Sequence, residues 1–284
     1  MINATVVADS ITPNGDRLTT LEVVMPRFIL PEFNTHRAFS RNSASSRAIP
    51  FQRLVQQVWE HPYIPQKIGG YNAGMQPQTY LEGHDYETAV RLWEQAAQDA
   101  VDAAISLAYP HQYQRSKVWT NLTLGYDTEK WPIPAVAKEL LNRILEPFLM
   151  TKVVVSATEW DNFFTLRDHE DAQTDIQQVA HAMRAALAGS TPRQLKWGHW
   201  HTPYIDTSDG EVSKDRLMLS ASACAKVSYM REGTPMDLER AYDLAEAGHL
   251  SPFEHVATAS RGKFANYTGF IQLRHLLDKP STMW

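Results

Sequence analysis

The sequence predicts an α+β fold in which helices dominate and short strands lie towards both ends of the chain. Residues 84–108 and 133–149 carry apolar side chains at helical spacing, and each predicts an amphipathic helix. Residues 3–9 and 20–30 are β-branched and apolar, and the turn signal PNGD at residues 13–16 lies between them. This arrangement predicts an early β-hairpin.

The remaining elements follow from the same patterns. In the predicted helix over residues 133–149, the inner face carries Leu140, Leu141, Ile144 and Leu145. Further helices are predicted over residues 51–62, 168–189 and 235–248, and a short strand or buried turn over residues 150–160. Loops are predicted over residues 63–83 and 190–214, and alternating strand and helix patterns after residue 255.

Composition indicates a folded cytoplasmic protein. Of the 284 residues, 43% are apolar and 21% are charged, and the net charge of −5 argues against general nucleic-acid binding. The N-terminus does not resemble a signal peptide, and no apolar run reaches the roughly 18 residues of a membrane helix. The single cysteine, Cys224, excludes an internal disulfide and a cysteine-built metal site.

Residues 34–50 form the most polar stretch, NTHRAFSRNSASSRAIP. Its composition fits either a solvated linker or a loop that holds an anion. Guanidinium groups match phosphate geometry, and serine hydroxyls complete such a site. The candidate anion ligands are His36, Arg37, Arg41, Ser45 and Arg47.

Two other segments could carry chemistry. Residues 248–255, GHLSPFEH, place two histidines, a serine and a glutamate directly after a helix end, although a helix-capping turn explains the same pattern. Residues 160–167 combine an aromatic wall with Asn162 and Arg167, which is also typical of a core segment. His199 and His201 lie two apart, but without a third ligand at a recognised spacing we expect no metal. Neither common phosphate-loop motif is present.

Together these segments resemble the flavin-dependent thymidylate synthases, the ThyX family. The GHxxPFEH segment of that family corresponds to residues 248–255, and its RHR…S…R signature corresponds to residues 35–47. Its LR…AQ-E-I segment corresponds to residues 166–176, its AR-x-x-LP pattern to residues 142–147, and its A-R-V-S segment to residues 225–228.

The order of the segments differs from the family, in which GHxxPFEH comes first and LR…AQ comes last. The sequence therefore resembles a circular permutation of one catalytic domain over residues 1–284. Residues 1–190 match the C-terminal part of the family and residues 215–284 its N-terminal part. Permutation is tolerated where the original termini lie close together.

The resemblance implies a ThyX-like fold, with helices packed on a small, mostly antiparallel sheet, assembled as a homotetramer. It implies FAD as cofactor, NADPH and methylenetetrahydrofolate as co-substrates, and methylation of dUMP at C5 to give dTMP. The expected partner is a pyrimidine deoxynucleotide monophosphate, with no nucleic acid, membrane or metal. The family uses reduced flavin instead of a cysteine nucleophile, in agreement with the single cysteine.

The resemblance also carries roles onto matching positions. The positions that match FAD contacts are His36, Arg37, Asn162, Ser228, His249, Ser251 and Glu254. The positions that match nucleotide contacts are Ser43, Ser45, Ser46, Arg47, Arg143, Arg167 and Arg274, of which Arg274 would replace the first arginine of RHR. Ser45, Arg167 and His249 are the catalytic candidates.

Three departures concern the pyrimidine pocket. Thr35 replaces the first arginine of RHR, Ser43 replaces an acidic residue, and Glu32 replaces a glutamine. A glutamate would accept a hydrogen bond from the cytosine amino group. The alternatives to thymidylate synthesis are therefore a dCMP or dUMP methylase or hydroxymethylase, and a nucleotide-binding paralogue without catalysis.

Overall fold

A five-stranded sheet organises the first part of the computed structural model, which describes residues 1–74, 77–125, 131–207, 212–227 and 237–277. Its strands are β1 (Asn3–Ile11), β2 (Arg17–Pro26), β3 (Ser40–Ser43), β4 (Met150–Ala157) and β5 (Arg193–Gln194). The order is β3-β4-β2-β1-β5, and only the β1–β5 pair is parallel. The predicted hairpin is confirmed, and Gly15 in its turn has a φ of +90°, which glycine adopts without a Cβ clash.

Helices cover this sheet and form a lobe beside it. They are α1 (Leu30–Phe33), α2 (Phe51–Glu60), α3 (Gly83–Ala108), α4 (Gln112–Thr123), α5 (Lys138–Leu145), α6 (Asp161–Arg167) and α7 (Thr174–Ala188). Helix α7 packs across β1 and β2 through buried Ile176, Val179 and Met183. Helices α2, α3 and α5 share a second core, in which Val101 and Ile105 are fully buried.

A three-stranded sheet and three helices complete the fold. They are β6 (Trp200–His201), α8 (Lys214–Lys226), α9 (Leu238–Glu246), β7 (Ala257–Phe264), β8 (Tyr267–Gln272) and α10 (Leu273–Leu277). Strand β7 is central and antiparallel to both neighbours. The mixture of helices and small sheets confirms the predicted α+β class. None of the helices in the described ranges is long and apolar enough to cross a bilayer.

Several element boundaries differ from the prediction. The helix expected from residue 133 begins at Lys138, and Leu140, expected on its inner face, is 57% exposed. The helix expected from residue 168 begins at Thr174, because the Gln173 side chain accepts hydrogen bonds from two backbone N–H groups and caps it there. Residues 27–33, expected in part as strand, form a 3₁₀ turn and α1. Neither β3 nor α4 was predicted.

A buried chain of hydroxyl and imidazole groups joins the two sheets. Ser10 and Thr20 hold the two ring nitrogens of His201 at 2.9 and 2.8 Å. Thr20 contacts Ser156 at 2.6 Å, and Ser156 contacts His255 Nδ1 at 2.8 Å. Burial lowers the pKa of both histidines to about 3, so both are neutral at pH 7. We call these five residues the interlayer chain.

Candidate functional site

The serine-rich stretch forms a strand between two polar clusters. Strand β3 pairs with β4, with Arg41 opposite Val155, and Ala44 continues the pairing by donating to the Lys152 carbonyl. Since a strand rises about 3.3 Å per residue, the two ends of this pairing lie roughly 10 Å apart. The stretch is therefore an ordered part of the sheet and not a linker.

The first cluster gathers around His36, just before β3, and we call it the His36 cluster: His36, Arg41, Arg167, Glu254 and Arg274. Arg167 Nε donates a hydrogen bond to His36 Nε2 at 3.1 Å. Because arginine stays protonated, His36 Nε2 must accept, and the imidazole proton lies on Nδ1. The 89° edge-on contact with the Phe163 ring holds the imidazole plane.

Electrostatics keep His36 neutral. Burial first, and then the positive charges of Arg167 and Arg41, lower the pKa of His36 to about 4. At neutral pH the ring is a fixed hydrogen-bond donor through Nδ1, suited to a carbonyl or phosphate oxygen. Because the ring is neutral at that pH, it cannot act there as an imidazolium general acid.

The GHLSPFEH segment meets β3 in the same cluster. Residues Ser251–Glu254 form a 3₁₀ turn that packs on β3, and Glu254 pairs with Arg274 from α10. Arg41 donates to the His36 carbonyl at 2.6 Å. Burial lowers the pKa of Arg41, while the nearby Glu254 carboxylate opposes that shift. Segments from both ends of the chain thus meet at one place.

The other positions matched to FAD lie at the surface. Arg37 follows His36, Asn162 lies in the first turn of α6, and His249 and Ser251 flank the start of the 3₁₀ turn; all four are exposed. Each of them lies within a few residues, in sequence, of a member of the His36 cluster, and each is accessible to a ligand. Ser228, also matched to FAD, lies outside the described residues.

The second cluster lies beyond the other end of β3, and we call it the Glu146 cluster: Arg27, Ser46, Arg143 and Glu146. Glu146 Oε1 accepts from Ser46 Oγ at 2.6 Å and from Arg27 Nη2 at 3.0 Å. Arg143 Nη1 lies 3.6 Å from Glu146 Oε2. Ser46 is further fixed because buried Asn142 donates to its carbonyl at 2.7 Å.

The positions matched to the nucleotide are divided between these clusters within one chain. Arg167 and Arg274 belong to the His36 cluster, whereas Ser46 and Arg143 belong to the Glu146 cluster. Ser43 ends β3 and Ser45 follows it, both half-buried. Arg47 is 66% exposed and lies 3.5 Å from Glu139 on α5.

Cys224 has no features of a nucleophile. It lies fully buried inside α8, and burial raises the pKa of its thiol. Any chemistry at this site therefore rests on other groups.

Sequence reasoning missed Arg27 and Glu146 as site residues. Arg27 follows β2 and donates to the Ala44 carbonyl at 2.7 Å, so it links three segments that are distant in sequence. For Glu146 a signal was present, because it occupies the position at which the AR-x-x-LP pattern has leucine.

Comparison with models of protein families identifies the family of this chain. The Thy1 family model, described as thymidylate synthase complementing protein, matches residues 18–193. The chain belongs to this family. The resemblance to ThyX inferred from the motifs is thereby confirmed, and the matched range contains both β3 and the arginines of α5 and α6.

The solved structures to which this chain is similar have low sequence identity to it. Two structures of the UMP/dUMP methylase PolB from Streptomyces cacaoi, bound with 5-Br UMP and 5-Br dUMP, are each 17% identical. They cover 66% of this chain and 89% and 90% of theirs, with TM-scores of 0.46 and 0.44. The flavin-dependent thymidylate synthase ThyX from Helicobacter pylori, complexed with FAD and dUMP, is 16% identical, covers 60% of this chain and 67% of its own, and has a TM-score of 0.35. No curated protein matches the chain in sequence.

Proposed function

We propose that this protein is a flavin-dependent methylase that acts at C5 of a pyrimidine nucleotide, most simply converting dUMP to dTMP. Methylenetetrahydrofolate would donate the carbon and NADPH would reduce the flavin. The observation that carries the proposal is the meeting of Arg167, His36 and Glu254, from three motif segments, in a chain of the Thy1 family.

The residues of the His36 cluster fit a flavin dinucleotide. His36 presents a fixed N–H donor, and Arg37, His249 and Ser251 are exposed donors on the segments that carry members of the His36 cluster. The Trp160 indole N–H is buried without a hydrogen-bond partner among the described residues, and its ring lies 4.8 Å from that of Phe39. Aromatic faces and cationic donors match an isoalloxazine ring and a pyrophosphate. When bound, the flavin would supply the redox chemistry.

The remaining groups would bind and orient the nucleotide. An arginine beside a uracil carbonyl stabilises the negative charge that develops as C5 becomes nucleophilic, and we assign this role to Arg167. Arg143 and Arg47 have exposed guanidinium groups that suit the phosphate. Ser45 would lie near the pyrimidine. Because Arg143 and Arg167 lie in different clusters, a complete site would draw them from two subunits of a homotetramer.

One observation favours a second substrate. Glu32 of α1 has a carboxylate oxygen, Oε2, that is buried and has no hydrogen-bond partner among the described residues. A carboxylate in that state requires a donor, and the amino group of cytosine would provide one. A dCMP methylase or hydroxymethylase is therefore the alternative activity.

A product assay tests these proposals. The purified protein should be yellow, because bound FAD absorbs visible light. With methylenetetrahydrofolate and NADPH present, mass spectrometry of separate dUMP and dCMP reactions identifies the base and the product, because methylation at C5 adds about 14 mass units to the nucleotide and hydroxymethylation adds about 30. Nucleotide binding without product would favour a non-catalytic paralogue. A colourless protein that takes up no FAD would contradict the proposal.

A further inference from the structure

A cavity of about 520 Å³ lies between α1 and the end of α5. Phe28, Leu30 and Pro31 form its apolar side, and Arg27, Arg143 and Glu146 form its charged side. One aromatic ring, aliphatic side chains and a few convergent charges are typical of a small-molecule site. The cavity includes three of the four members of the Glu146 cluster.

The two arginines in this cavity are held differently. Arg27 is only 13% exposed, and its guanidinium already donates to the Ala44 carbonyl and to Glu146. Arg143 is 58% exposed, and its 3.6 Å separation from Glu146 exceeds the usual hydrogen-bond distance. Arg143 is therefore the group that would turn to the phosphate of a ligand.

The two oxygens of Glu146 also differ. Oε1 already accepts from Ser46 and Arg27, which leaves it little further capacity. Oε2 meets Arg143 only at 3.6 Å, so it retains capacity to accept on the side of the cavity. The positive charges of Arg27 and Arg143 offset the repulsion between the Glu146 carboxylate and a bound phosphate, and a neutral hydrogen-bond donor of the ligand suits the remaining acceptor, Oε2.

We infer that Glu146 is a specificity-determining residue that recognises a sugar hydroxyl of the nucleotide through Oε2, an inference that rests on the proposed function. In a nucleoside monophosphate the sugar adjoins the phosphate and the base lies beyond it. A phosphate held by Arg143 therefore brings a hydroxyl, and not a base amino group, next to the neighbouring Glu146. Leucine, which the family pattern has at this position, offers no acceptor.

The test measures the affinity of the flavin-loaded protein for UMP, dUMP and 2′,3′-dideoxy-UMP by calorimetry. UMP has both the 2′- and the 3′-hydroxyl, dUMP lacks the first, and 2′,3′-dideoxy-UMP lacks both. In the wild-type protein, one of these two steps should weaken binding about tenfold or more, since a hydrogen bond to a charged acceptor is lost. In Glu146→Gln the amide oxygen still accepts from Ser46 and Arg27, but the NH₂ group replaces Oε2 and cannot accept. The three nucleotides should then bind within about twofold of one another.

Two further variants separate this effect from a structural one. Ser46→Ala removes the hydroxyl from Oε1 and leaves Oε2, so discrimination between the nucleotides should persist. Glu94→Gln removes an exposed carboxylate from α3 and should retain the wild-type pattern. Equal discrimination in the wild-type protein and Glu146→Gln, or none in the wild-type protein, would overturn the inference alone. Failure of the wild-type protein to bind any of the nucleotides would instead overturn the proposed function.

Discussion

The interlayer chain and the two clusters that flank β3 both join polar side chains from distant segments, yet they differ in what remains available. In the interlayer chain, neutral hydroxyl and imidazole groups form hydrogen bonds with each other, and all five residues are buried. In the clusters, guanidinium and carboxylate groups are partly exposed, as with Arg143 at 58% and Arg274 at 41%. We therefore expect ligands at the two clusters, where charge and hydrogen-bonding capacity remain accessible, and not at the interlayer chain.

The largest expected effect concerns the pH dependence of the interlayer chain. The pKa of His201 and His255 is about 3 in the folded protein against 6.5 ordinarily, so the unfolded chain binds more protons below pH 6.5. The contribution of the two neutral imidazoles to the free energy of unfolding is therefore fully present above about pH 6.5 and is lost as the pH falls below it. Between about pH 7 and pH 5 the two imidazoles together should cost about 4 kcal/mol of the free energy of unfolding.

Urea unfolding across this range measures the effect before most carboxylates titrate. The variant His181→Gln removes a 78% exposed histidine on α7, retains His201 and His255, and is the matched control in which the loss of stability towards pH 5 should persist. His255→Gln, if it folds, should reduce the slope. A free energy of unfolding that stays constant from pH 7 to pH 5 would contradict the comparison.

The next largest effect concerns Arg167 in the His36 cluster. Arg167→Ala should weaken nucleotide binding about 100-fold, since charge-assisted hydrogen bonds to the ligand are lost, and should leave the fold intact. It should also raise the pKa of His36 from about 4, because a neighbouring positive charge disappears. Calorimetry measures the first change and NMR titration of the imidazole measures the second.

Arg184 provides the matched control for Arg167. It lies on α7, is 52% exposed, and pairs with Asp168 at 2.7 Å. Arg184→Ala should therefore leave nucleotide affinity and the pKa of His36 unchanged. Unaltered dUMP and dCMP affinity in Arg167→Ala would remove this residue from the site.

How well the sequence predicted the fold depended on the range of the interactions involved. Helix α3 begins within one residue of its prediction, because its apolar spacing is a local property. Strand β3 was missed because Ser40–Ser43 are polar, and their extended state depends on pairing with β4, more than a hundred residues away. The start of α7 moved because a glutamine cap has a weaker sequence signal than Ser or Asp.

Prediction of the site also depended on whether the signal was local in the sequence. His36 and Arg167 were both named as site residues through their motifs, but the hydrogen bond between them was not predicted, because the motifs carry no information on distance. The contact of Arg27 with Glu146 was not anticipated, because it forms only when the end of β2 meets the end of α5. The permuted segment order stays a prediction, although the packing of Ser251–Glu254 on β3 is the contact that it requires.

A smaller effect is expected when one link of the interlayer chain is removed. Ser156→Ala removes the hydroxyl that contacts His255 Nδ1 and one of the two groups that contact the Thr20 hydroxyl, all in a buried region, which should lower the free energy of unfolding by about 2 kcal/mol. Flavin and nucleotide affinity should not change. Ser116→Ala on α4, whose hydroxyl bonds to a carbonyl at the exposed surface, is the control and should have little effect on stability.

The smallest expected effect concerns the pair of Arg47 and Glu139, which have 66% and 60% exposed side chains. Glu139→Ala should change the free energy of unfolding by less than about 0.5 kcal/mol, because solvent screens exposed ion pairs. Arg47→Ala should have an equally small effect on the free energy of unfolding. It should nevertheless weaken nucleotide binding, because its exposed guanidinium, like that of Arg143, is accessible to a ligand. Nucleotide affinity that is unchanged in Arg47→Ala would show that exposure alone does not identify a ligand contact, and that a neighbouring cavity, as at Arg143, is also required.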